Sequence, residues 1–136
     1  MTVLLAIWLA FGDLGPAKSE PDLEKRSELA LVNADRDIDE ARKAYTDANP
    51  PGTQAALDEL GKSVDLSYES LQQSHKEPHK SKYYKRAEMQ LQVILRRLRG
   101  LRDDVGYESR PAVEAVLKKV SEVHDQIMAD IMSRKK

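Results

Sequence analysis

The sequence predicts an all-α protein, an antiparallel up-down-up-down four-helix bundle behind an N-terminal signal peptide. Three observations carry that expectation. Tyr84, Ala87, Leu91, Ile94, Leu98, Leu101 and Val105 recur at spacings of three and four, the buried seam of a coiled-coil-like helix. Charged residues make up 33% of the chain and aromatics only 5%, a balance that suits solvated helices and is poor for a β-sandwich. Proline and glycine fall between the patterned segments, at Pro50, Pro51 and Gly52 and again at Gly106 and Pro111, and cut the chain into helix-length pieces. With 136 residues, one bundle domain over 18–136 is expected.

The chain opens on VLLAIWLAF, Val3 to Phe11, followed by Gly12, Gly15, Pro16 and Ala17 and then by polar sequence. This has the form of a signal-peptide core and cleavage region. A membrane-spanning helix needs about 20 apolar residues, so no stable span is expected once the leader is removed. Gly15 and Ala17 suit cleavage before Lys18, giving a leader over 1–17 and a periplasmic or secreted product. No Lys or Arg precedes the apolar run. The alternative is a core helix at the N-terminus and a cytosolic adaptor. Trp8 and Phe11 are the chain's only Trp and Phe, and both lie in the leader.

Lys18 to Pro21 reads as a linker, with Asp22 as cap for a first helix from Leu23 to about Ala48. Its seam is Leu31, Ala34, Ile38, Ala41, Tyr45 and Ala48, with alanines that let a neighbouring helix come close. Thr53 is the expected cap of a second helix with its seam at Ala56, Leu57, Leu60, Val64, Ser67 or Tyr68, and Leu71. His75 to Ser81 is a polar connector in which Pro78 suits the first turn of the third helix, the one with the Tyr84 to Val105 seam. Pro111 opens a fourth helix with its seam at Val113, Val116, Leu117, Val120, Val123, His124, Ile127 and Ile131. A three-helix bundle with one loose segment is the rival architecture.

Charge is segregated along the chain although the net is only -1. Lys18 to Ser74 holds 7 basic and 13 acidic residues, and His75 to Arg102 holds 9 basic and 2 acidic. Acidic residues flanking the first seam, Asp35 and Asp37, are therefore expected near Arg97 and Arg102, where they would help choose the helix pairing. The basic residues at the start of this stretch, with a tyrosine among them, make a candidate patch for an anion or a partner: Lys76, Lys80, Lys82, Tyr83, Lys85 and Arg86. Lysine and arginine interleaved with tyrosine suit phosphate-bearing ligands, and in an exported protein that points to an anionic envelope component and not to nucleic acid.

Catalysis is not expected. There is no nucleophile elbow and no Gly-rich phosphate loop, and the absence of cysteine removes thiolate chemistry. No cofactor or metal is expected either. His75 and His79 are four apart but separated by Pro78, and the Glu-x-x-His pairs of di-metal bundles are absent, since Glu77/His79 and Glu122/His124 have the wrong spacing. An unidentified protein partner is the leading expectation.

The segments SELALVNADRDIDEARKAY, SVDLSYESLQ, KSKYYKRAEMQLQVILRRLRGLRDDV and SRPAVEAV resemble those of small exported bacterial helical-bundle proteins with no assigned activity. The resemblance implies export and a bundle fold, and carries no site residue.

Overall fold

The computed structural model describes residues 14–133. Within them the chain forms five α-helices and no strand: α1 (Gly15–Ser19), α2 (Leu23–Thr46), α3 (Pro50–Gln73), α4 (Lys82–Asp104) and α5 (Arg110–Met132). The apolar run Val3 to Phe11 lies outside the described residues.

Each boundary has a local cause. Asp22 caps α2, its side chain accepting from the amides of Glu24 and Lys25. At its other end α2 closes in a Schellman turn: Asn49 N donates to Ala44 O at 2.9 Å and Ala48 N to Tyr45 O at 3.0 Å. Ala48 therefore adopts a left-handed φ of 55° and lies outside the helix, so it is exposed and not part of the seam. The start of α3 also differs from expectation. Asn49, not Thr53, is the cap, because Pro50 and Pro51 need no donor partners and the Asn49 side chain reaches Gly52 N at 3.1 Å. Thr53 is already helical and donates its hydroxyl to Asn49 O at 3.0 Å. A Cβ on Gly52 would overlap the Asn49 side chain and press on Ala44 Cβ at 3.3 Å, so glycine here leaves room for the Asn49 cap.

In the connector, Lys80 N and Ser81 N both bond to Glu77 O at 3.0 Å. That turn keeps Pro78 out of α4, which starts at Lys82 with Ser81 Oγ accepting from Tyr83 N and Tyr84 N. The expected linker at Lys18 and Ser19 is instead the end of α1.

The seams meet in one core. Leu31 and Ile38 of α2, Leu57, Leu60 and Leu71 of α3, Leu91, Ile94 and Leu98 of α4, and Val113, Val120 and Ile127 of α5 are almost wholly buried. Each such side chain contributes about 1.5–3 kcal/mol over leaving it exposed. All seven seam residues, six within α4 and Val105 as its C-cap, are buried. On the outer side of α2 and α3 a second, small apolar cluster joins Leu14 and Ala17 to Ala30, with Leu29 and Leu66 packed against it.

The helices form two hairpins. α2 packs most closely on α3, with small residues at the contact: Ser27 Oγ and Ser67 Oγ lie 2.7 Å apart. α4 packs on α5. The hairpins stack with α2 beside α4 and α3 beside α5, while the consecutive helices α3 and α4 barely touch. Side-chain pairs rise together along α2 and α4: Glu28 with Arg86, Asp35 with Arg97, Arg42 with Asp104. These two helices therefore run in the same direction, and the connector crosses the bundle diagonally.

Candidate functional site

Three polar arrangements stand out from the packed seams. The first is the sequence-predicted patch, which the fold gathers at the end of the bundle where α2 begins and the connector turns into α4. Tyr83 is its centre. The Lys82 ammonium lies 5.6 Å and the Arg86 guanidinium 5.3 Å from its ring centroid, within cation–π range. On one side of Tyr83 is an open recess of about 320 Å³, lined by Lys76, Lys80, Lys82, Ser81, Glu24 and Glu77. On the other is an apolar groove of about 220 Å³ between α2 and α4, lined by Leu29, Leu31, Val32 and Ala87 and rimmed by Glu28, Arg86 and Gln90.

The patch is partly compensated. Arg86 is paired with Glu28 at 3.3 Å and Lys80 with Glu77 at 3.4 Å, while Glu24 accepts from Ser81 Oγ at 3.1 Å. Among the described residues, no carboxylate lies within ion-pair distance of Lys76, Lys82 or Lys85. Lys85 is exposed and lines neither recess.

The second arrangement is a polar cluster sealed between α2 and α3, which the sequence does not announce. Asn33 Nδ2 faces Ser63 Oγ at 2.9 Å, Glu59 Oε2 at 3.1 Å and Asp37 Oδ2 at 3.3 Å. Asp37 is fully buried, so it does not flank the seam beside Arg97 as expected. Burial, followed by the nearby Glu59 carboxylate, pushes the Asp37 carboxyl up to about 8. The Ser63 hydroxyl is a third donor in the cluster, bonding Glu59 O at 2.9 Å with Asp37 Oδ2 at 3.5 Å, and it opposes part of the rise at Asp37. Asn33 Oδ1 and Asp37 Oδ1 have no hydrogen-bond partner among the described residues.

The third is the contact between α4 and α5. His124 Nε2 lies 2.9 Å from Glu88 Oε2, with side chains only 17% and 13% exposed. Burial alone would raise Glu88, but hydrogen bonds from Gln92 and His124 outweigh it and hold the carboxyl below its usual range. Nearby on the other hairpin, the Tyr68 hydroxyl donates to Asp130 Oδ2 at 2.7 Å and ties α3 to α5. Burial and that carboxylate raise the Tyr68 phenol.

Of the predicted charge pairing, the Asp35 half is present. Arg97 bonds Asp35 Oδ1 at 2.7 Å and Asp35 O at 3.0 Å, and also bonds Asp39. Burial opposes the Arg97 charge, but these carboxylates prevail and raise its pKa further. Arg102 instead bonds its neighbour Asp103, and the cross-helix partner of Asp104 is Arg42.

Among the described residues, no group of three His, Cys, Asp or Glu side chains could hold a metal ion, and no helix is long and apolar enough to cross a membrane. No protein-family profile, curated protein or solved structure matches the chain.

Proposed function

We propose that this chain is a non-enzymatic exported protein, periplasmic or secreted, that acts through contacts with another protein. In this reading residues 1–17 are a cleaved leader and 18–136 form a single up-down-up-down four-helix bundle, in line with the resemblance to small exported bacterial bundles. One observation says what processing would change. Leu14 and Ala17 cover Ala30, beside Leu29 and Leu66, on the outer side of α2 and α3. Cleavage before Lys18 would strip both residues away and uncover an apolar spot for a partner to bury. The protein would then present its contact face only after export.

The test is a photo-crosslinker placed at Leu66 of the protein made in its own host. The proposal expects one discrete adduct with another protein outside the cytosol, lost when Leu29→Lys is added. Adducts that ignore Leu29→Lys, or none at all from processed protein, would contradict it.

A second reading rests on Lys76, Lys82 and Lys85, the three lysines of the patch without carboxylate partners. They favour an envelope-associated module that holds anionic lipid or another polyanion at the start of α4. Binding to anionic vesicles should weaken steeply with added salt and drop when Lys82 and Lys85 are neutralised. Salt-insensitive binding would exclude this mode.

A further inference from the structure

We infer that Tyr83 divides one two-part site for a single-chain anionic amphiphile, with the alkyl chain in the groove between α2 and α4 and the head group in the lysine-lined recess. The inference rests on the second reading above and adds the ligand class.

Three features point to this occupant. Tyr83 lines both spaces, so a molecule that occupied both would span from an apolar wall to a basic one past this side chain. The groove is floored by the buried side chains of Leu31 and Ala87, and its lip is Val32, which remains 46% exposed. A chain laid there would cover the exposed part of Val32 and the half-buried Leu29, at about 25 cal/mol per Å². The recess supplies the charge complement. Glu77 is paired with Lys80, and Glu24 keeps its charge but is turned to the Ser81 hydroxyl, so Lys76 and Lys82 leave the recess with an excess of positive charge for an anionic head.

Size selects among amphiphiles. At about 220 Å³ the groove lies below the usual range of about 300–1,000 Å³ for small-molecule sites, which suits one short alkyl chain and not the paired chains of a bilayer phospholipid. The inferred ligand is therefore taken up singly from water. The Arg86 and Glu28 pair at the groove rim would stay intact, since Arg86 is held between Glu28 and the Tyr83 ring.

Isothermal titration of decyl phosphate, kept below its aggregation threshold, into the full chain tests the inference. It should show saturable one-to-one binding, while inorganic phosphate and neutral decyl maltoside should not bind detectably. Val32→Asp, at an exposed position, and Lys82→Glu should each weaken binding by about tenfold or more, consistent with losing one charge-assisted contact or placing a charge beside the chain. Helical circular dichroism should be unchanged in both variants, which separates a lost site from a lost fold. Equal affinity for decyl maltoside, or affinity unmoved by both substitutions, would overturn the inference. So would binding seen only with anionic vesicles, and that outcome would leave the envelope-module reading standing by itself.

Discussion

At Asp37 the chain accepts a buried acid where an apolar residue would pack. The cost depends on pH in a defined direction. A carboxyl whose folded pKa lies at about 8, well above its unfolded value, stabilises the fold fully below the unfolded pKa and loses that contribution as pH rises through about 8. Asp37→Asn keeps the shape and cannot ionise. The substitution should leave stability near pH 4 little changed, raise it at pH 8–9, and flatten the profile between; urea melts across that range would show it. No flattening would mean that Asp37 is ionised in the folded protein. Ala48 is a second residue at which sequence and geometry disagree. A left-handed φ of 55° costs a side-chain-bearing residue about 1–2 kcal/mol, so Ala48→Gly should raise the melting temperature by a few degrees despite the added chain entropy. Neither position is legible from the chain alone. Asp37 sits among Asp35, Asp39 and Glu40, which read as a solvated face, and only the depth of the α2/α3 contact tells it from them. The Ala48 turn was hidden because the two prolines announce a stop without saying which residue turns.

Between elements, the seams were the readable part. The seven positions from Tyr84 to Val105 are all buried, as their spacing required, because a helix packed on one side has little freedom in which residues face inward. What periodicity cannot supply is the neighbour. A seam says that α4 has a partner, not that its flank lies along α2 in the same direction. Charge carried part of that information: Arg97 does reach the acidic first helix, through Asp35 and Asp39. A double-mutant cycle on Arg97 and Asp35 should give a coupling of up to about 1 kcal/mol, since both side chains remain partly exposed and solvent screens the pair. The same cycle on Arg102 and Asp35 should give none. Truncating the core under this contact is a different matter. Leu98→Ala removes a fully buried side chain and should cost about 2–5 kcal/mol, read from chemical denaturation.

For the molecule as a whole, the two hairpins are joined by the 74–81 connector, and the same connector brings Lys76, Lys80 and Lys82 to the base of α4 beside Tyr83. The basic patch could be named from sequence because its residues are close in the chain. Its apolar counterpart could not, because Leu29 and Val32 arrive from α2 only through the parallel packing of α2 on α4. The proposed export would tie these surfaces to a biological setting, and it turns on whether Leu14 and Ala17 stay with the bundle. The most direct measurement is the intact mass of the protein recovered from fractionated host cells. Leader cleavage would give a chain beginning at Lys18 in the extracytoplasmic fraction, without tryptophan fluorescence because Trp8 would be lost with the leader. A soluble cytosolic protein that retains Met1 to Ala17 would contradict it.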